Sequence, residues 1–218
     1  MIGDDIVANL RMVPTGVICD ALGRLGLSGF MDGIRPFRRD VKMAGRARTI
    51  RYGARRGDDS PKFNVYAFMR SLEPGDIVVF GTNQSESWIY GENMAHAALY
   101  AKLAGVVSDS MARDVDQLAA LDIPCFARGS ATRPPTEIEF IATDTIIDCA
   151  GAQVHSGDIL VGDGDGIVVV PSARAADVWF QAEELEDLEG QQERAIASQV
   201  PMAELAAILA KKKLTRSR

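Results

Sequence analysis

Two short runs, DIVVFG (76–81) and GVVSD (105–109), are apolar almost without a break. Runs of this kind read as strands covered on both faces, the habit of parallel strands flanked by helices. Between them lie a polar loop, NQSESWIYG (83–91), and an Ala-rich segment, ENMAHAALYAKLA (92–104), that reads as a helix. After the second strand come a short helix, RDVDQLAALD (113–122), and a third strand, IPCFARG (123–129). A helix feeding a parallel strand runs back across the sheet, so it starts near the carboxyl edge where the next helix also starts. The lengths agree: about 13 helical residues rise ~20 Å, and a short strand covers ~15 Å. Gly91, Glu92 and Asn93 should therefore converge with Arg113 and Asp114 at the sheet edge that open α/β folds use for ligands.

The remaining segments fit an α/β chain with helical N- and C-terminal segments. DDIVANLRMV and TGVICDALGRLG read as helices, with Thr15 as a cap and Gly26 near the end of the second. MAGRARTIRYG reads as a strand. SPKFNVYAFMRSLEPGD reads as a helix with Ser60 as N-cap and Pro61 as first residue, stopped by Pro74-Gly75. The segment 143–171 is β-rich, with Gly-Asp turns at Gly157-Asp158 and at 162–166. Residues 173 to about 210 read as charged helix, the EELEDLEG run being a solvated face. No repeat or long linker interrupts the 218 residues, so the economical organisation is one domain, 1–218, with 173–218 a helical extension.

Composition removes several function classes. The net charge of -6 argues against nucleic acid. The one basic cluster, Lys211, Lys212, Lys213, Arg216 and Arg218, reads as a solvated end. Cys19, Cys125 and Cys149 suggest no disulfide framework or zinc pattern, and two histidines allow no His-rich metal site. No stretch approaches the ~20 apolar residues of a membrane span, and the N-terminus lacks a secretory pattern. The expectation is a cytoplasmic protein.

At the predicted edge, two helix N-termini favour an anion such as a carboxylate. Gly91 lets backbone approach a ligand, and Arg113 offers a planar fork for a carboxylate or an enolate oxygen. Asp114 and Glu92 are hard oxygen donors that suit Mg²⁺ or Mn²⁺. Gln117 should share a helix face with Arg113 and Asp114. Trp88 and Tyr90 flank Gly91 and would either wall the pocket or pack between subunits. His96 reads as a packed or surface histidine, His155 as exposed, and Asp163 and Asp165 as turn residues.

These residues resemble the RraA-like family, which includes 4-hydroxy-4-methyl-2-oxoglutarate/4-carboxy-4-hydroxy-2-oxoadipate aldolases and regulators of ribonuclease E activity. The family pattern is an acid, twenty residues, Arg-Asp, two residues, then an acid. Here it reads Glu92, twenty residues, Arg113-Asp114, Val115-Asp116, then Gln117. TGVICDALGRLG, GIRPF with AGRARTI, and SGDILVGDGDGIVVVP are similar to further family segments in the same order. The resemblance implies an α/β/β sandwich-like fold, assembled as a trimer or dimer of trimers with sites between subunits. It implies that Asp114 binds the metal largely with waters, that Glu92 supports those waters, and that Arg113 contacts substrate. Backbone amides from Gly91 to Met94 would hold the pyruvyl carboxylate. Gln117 in place of the last acid and Ser110 where glycine is usual are departures.

The chemistry implied is cleavage beside a 2-keto group. A metal acts as electron sink, Arg113 adds charge stabilisation, and water on the metal relayed through Glu92 is the candidate base. The substrate would be a small-molecule 2-keto acid, releasing pyruvate by retro-aldol cleavage, with oxaloacetate decarboxylation as a companion reaction. A Schiff-base route would need a buried lysine, and none of Lys42, Lys62 or Lys102 falls at the predicted edge. The reading from another class is a non-catalytic regulator that inhibits ribonuclease E by protein binding.

Overall fold

The computed structural model describes residues 4–57 and 62–215. Two helices, α1 (Asp4–Met12) and α2 (Thr15–Arg24), precede β1 (Arg35–Pro36), β2 (Met43–Ala54), α3 (Val65–Arg70) and β3 (Asp76–Gly81). Then follow β4 (Trp88–Tyr90), α4 (Glu92–Tyr100), β5 (Gly105–Ser108), β6 (Met111–Ala112), α5 (Val115–Ala120), β7 (Cys125–Ala127) and β8 (Gly129–Ser130). The second half holds β9 (Ile138–Thr143), β10 (Ile147–Cys149), β11 (Ala152–Val154), β12 (Ile159–Asp163) and β13 (Gly166–Val170). It ends in α6 (Ala175–Ala197) and α7 (Met202–Lys212).

The main sheet runs β1-β7-β5-β3-β2-β12-β13, with β9 paired to the second half of β2. Strands β2, β3, β5 and β7 are mutually parallel, while β12, β13 and β9 pair antiparallel. Every residue of β3 and β5 is buried. The cause is cover on both faces: α3, α4 and α5 pack on one side around Met69, Ala98 and Leu118. The β10–β11 hairpin closes the other around Ile147, Cys149 and Val154. A third apolar cluster joins α1, α2 and α6 to β12 and β13. The fold is a mixed α/β sandwich with helices at both ends, as expected.

Several local expectations are corrected. The helix expected from 60 starts at Val65, because the Asn64 side chain accepts the Tyr66 and Ala67 amides at 3.0 and 3.1 Å. Ser60 and Pro61 lie outside the described residues. Thr15 is the first helical residue rather than the cap. Its amide and hydroxyl both donate to Asp163, at 2.9 and 2.8 Å, so a carboxylate from the β12–β13 turn caps α2. The stretch 83–91 is not all loop, since it contains β4. The C-terminal helix is broken at 198–201, where Gln199 takes φ +50° and Pro201 precedes α7.

Nor is the basic cluster simply a solvated end. The Arg24 side chain is only 3% exposed. It donates to the carbonyls of Lys211 and Lys212 and pairs with Glu184 at 2.8 Å. Lys212 bonds Glu189 and Gln192 on α6. Arg216 and Arg218 lie outside the described residues.

Candidate active site

A second, three-stranded sheet builds the site. In it β4 and β8 flank β6, all parallel. Beyond β6 the ladder continues, with the Arg113 amide donating to the Tyr90 carbonyl at 3.1 Å. Gly91 and Arg113 thus leave neighbouring strands side by side, one into α4 and the other into α5. The loop before β4 is fixed from below by Asp109, a fully buried carboxylate. It accepts from the amide and hydroxyl of Thr82 and from the Gln84 amide. Burial raises the Asp109 pKa despite those bonds.

Gly91 is needed for space rather than for its backbone angles, since φ −157° is extended. A Cβ there would stand 2.6 Å from Asp114 Oδ2 and 2.8 Å from Arg113 Cγ. Asp114 adopts the left-handed conformation at φ +59°, ψ +43°, uncommon for a residue with a side chain and best tolerated by Asp and Asn. It precedes α5 yet makes no side-chain cap to it. Its Oδ2 instead accepts the Glu92 amide at 3.3 Å and lies 3.4 Å from Arg113 Nε. Sharing a helix face with Gln117 is therefore corrected: Arg113 and Asp114 precede the helix. Gln117 is exposed on α5.

Glu92 opens α4 and its Oε1 lies 3.6 Å from His96 Nε2. His96 stacks on Tyr100, and its Nδ1 is buried without a hydrogen-bond partner. The Asn93 and Met94 amides, in the first turn of α4, have no acceptor among the described residues. Asn93 is exposed and Met94 half-buried. Ser110 is fully buried, with its amide and hydroxyl both on Ser108 Oγ at 3.0 and 3.1 Å. It is not among the residues with positive φ, so the backbone there has no need of glycine.

The two aromatic residues separate. Tyr90 is fully buried, stacks on Phe80 and donates its hydroxyl to the Phe126 carbonyl at 3.0 Å. It belongs to the core, which neither expectation foresaw. Trp88 lies with its ring under Arg113, the guanidinium carbon 4.2 Å from the ring centroid. Residues two apart in a regular strand face the same way. Here the β4–β6 register shifts between Trp88 and Tyr90, and that irregularity turns them apart.

Among the described residues no group of three or more His, Cys, Asp or Glu side chains is placed to hold a metal. A hydrated hard cation needs less: one or two carboxylates and its own waters. Asp114 Oδ1 accepts no hydrogen bond from the described residues, and its side chain is 37% exposed. Glu92, whose amide meets Asp114 Oδ2, carries a second carboxylate on the first residue of α4. The donor set fits Mg²⁺ or Mn²⁺ and does not fit a thiolate-seeking ion. A cavity of about 540 Å³ lies elsewhere, between the ends of β2 and β3 and the β9–β10 segment, and Trp88, Gly91, Glu92, Arg113 and Asp114 do not line it. Within one chain the Arg113–Asp114 site is open surface.

The sequence profile of the family described as Aldolase/RraA matches residues 15–169. The chain belongs to the RraA-like family. Among RraA-like relatives, a Halalkalibacterium halodurans protein provisionally named 4-hydroxy-4-methyl-2-oxoglutarate aldolase is 29% identical over 90% of each chain. An uncharacterized Pseudomonas syringae protein of solved structure is similar at TM-score 0.81 and 26% identity, over 94% of this chain and 98% of that one. Streptomyces coelicolor RraAS2, described as an unusual member of the RNase ES inhibitor RraA family, is similar at TM-score 0.80 and 25% identity, over 88% and 96%. No single helix among the described residues is long and apolar enough to cross a membrane.

Proposed function

We propose that this RraA-like protein is a divalent-metal-dependent lyase that releases pyruvate from a 4-hydroxy-2-oxo acid and also decarboxylates oxaloacetate. The observation that carries the reading is the meeting of Arg113, Asp114 and the N-terminus of α4 around Gly91. The relative named as an aldolase supports the reaction class.

Asp114 would hold the cation, with Glu92 and Gln117 engaging its water shell. Bound there, the ion would supply a Lewis acid for the keto oxygen. The unpaired Asn93 and Met94 amides and the helix dipole bind the substrate carboxylate. Glu92 holds the proton leaving the substrate hydroxyl as the carbon–carbon bond breaks. The bond's electron pair passes into the pyruvate enolate, and Arg113 stabilises the negative oxygen. Return of a proton to the enolate carbon completes pyruvate. With Arg113 49% exposed in one chain, a neighbouring copy in a trimer or dimer of trimers would complete the walls.

Pyruvate release, coupled to lactate dehydrogenase, tests the reading with 4-hydroxy-4-methyl-2-oxoglutarate, 4-carboxy-4-hydroxy-2-oxoadipate and oxaloacetate. Turnover should need Mg²⁺ or Mn²⁺ and vanish in Arg113→Ala and Asp114→Ala. Absence of metal-dependent turnover on all three would leave the second reading, a regulator acting by binding ribonuclease E. The Streptomyces relative and the neutral Gln117 favour that alternative.

A further inference from the structure

We propose that Trp88 is the positioning residue for Arg113, holding its guanidinium flat so that the outer edge captures a two-oxygen anion. A half-exposed arginine ordinarily samples many rotamers. Arg113 is restrained on three sides. Its stem passes over the bare Cα of Gly91, where an added Cβ would stand 2.8 Å from Cγ and 3.3 Å from Nε. Its Nε is turned to Asp114 Oδ2 at 3.4 Å. Its guanidinium carbon sits over the Trp88 ring, 4.2 Å from the centroid.

Those restraints use the stem, the Nε and one face. The two terminal nitrogens make no hydrogen bond to the described residues, and they form a two-donor edge that spans one carboxylate oxygen and the keto or enolate oxygen beside it. The ring also keeps water from one face of the cation, which strengthens its pull on an anion at the open edge. Trp88 is itself fixed. Its amide donates to the Arg133 carbonyl at 3.0 Å, and its place on β4 is set by the register shift that buries Tyr90 instead. The ligand class is a small planar anion with a carboxylate beside a second oxygen, as in a 2-keto acid or its enolate. The kinetic consequence rests on the lyase reading; the binding consequence does not.

The chain has two tryptophans, and Trp179 on α6 packs far along the sequence against the third apolar cluster. In the full chain with Trp179→Phe, emission reports Trp88 alone. Arg113→Ala should shift that emission without any ligand, and oxalate added with Mg²⁺ should change it in the Arg113 protein. By calorimetry, Trp88→Leu should weaken oxalate about five- to tenfold and Trp88→Phe by about two- to threefold, the order expected for losing or trimming a cation–π contact. In the pyruvate assay the same variants should raise KM more than they lower kcat.

Emission indifferent to Arg113→Ala would overturn the proposal. So would equal oxalate affinity in wild type and the Trp88 variants, or wild type that does not bind oxalate. If the Leu variant fails to fold, the Phe variant and the Arg113→Ala emission decide. Oxalate binding that depends on Trp88 in a protein that releases no pyruvate would support the positioning role and sink the lyase reading.

Discussion

Asp114 stands at the head of α5 but caps α4, its Oδ2 accepting the Glu92 amide at 3.3 Å. One carboxylate therefore serves the fold and the proposed chemistry together. Asp114→Asn keeps an acceptor oxygen for the cap and loses the charge, so the protein should melt close to wild type while pyruvate release disappears. Asp114→Ala also loses the cap and should cost about 0.5–2 kcal/mol more stability. Thermal melts beside the coupled assay check both. An Asn variant as active as wild type would end the metal role of this residue.

Gly91→Ala tests the crowding directly. The new methyl would collide with Asp114 Oδ2 and the Arg113 stem, so both must move. A shift of about 1 Å in a positioning group can cost on the order of 100-fold in rate. The assay should show a loss of that order with the helical circular dichroism unchanged. Wild-type kinetics would mean that neither side chain needs its observed place.

Gln117→Glu restores the acid usual in the family. An added charge engaging the cation's waters should lower the Mg²⁺ concentration for half-maximal activity by about tenfold, the scale of outer-shell effects on metal affinity. Metal titration of the activity checks this. An unchanged midpoint would place Gln117 outside the site.

Tyr90→Phe separates core from site. It leaves the buried Phe126 carbonyl without its hydroxyl partner and should cost about 1–3 kcal/mol in denaturant unfolding. KM for the keto acid should not move, in contrast to Trp88→Phe.

Acid stability has an identifiable contributor in Asp144. Arg48 reaches it with two bonds of 2.8 Å, and Ser156 adds a third. The Arg48 hydrogen bond lowers the Asp144 pKa below its ordinary 3.8. A depressed carboxylate contributes stability that is full above its unfolded value and lost as pH falls through the folded one. Asp144→Asn should therefore cost more stability at pH 7 than at pH 2. Unfolding curves at the two pH values decide it; an equal loss at both would refute the ionic origin.

Much of this was written in the sequence because local signals and packing agree. DIVVFG and GVVSD are buried strands because their polar side chains sit only at the ends: Asp76, which bonds Arg48 and the Glu73 amide, and Ser108 with Asp109. The convergence of Glu92 with Arg113 followed from helix rise and strand length. What was hidden depends on tertiary partners. No local pattern marks Asp163 as the cap of Thr15, nor Asp109 as the support of the loop at Thr82. The strand in 83–91 is only three residues long and owes its existence to β6 beside it. The division between Trp88 and Tyr90 rests on a register shift, which leaves no trace in residue spacing.

Helix α7 contributes no fully buried residue. An isolated helix of eleven residues is marginal in water. Beside partial packing on α6 through half-buried Leu205 and Ile208, it is held by the Arg24 bonds to the carbonyls of Lys211 and Lys212, with Lys212 anchored to Glu189 and Gln192. Part of the helix's hold thus comes from a residue 187 positions away. These contacts tie α7 to α2 and α6, and amide hydrogen exchange along α7 should quicken when Arg24 is replaced.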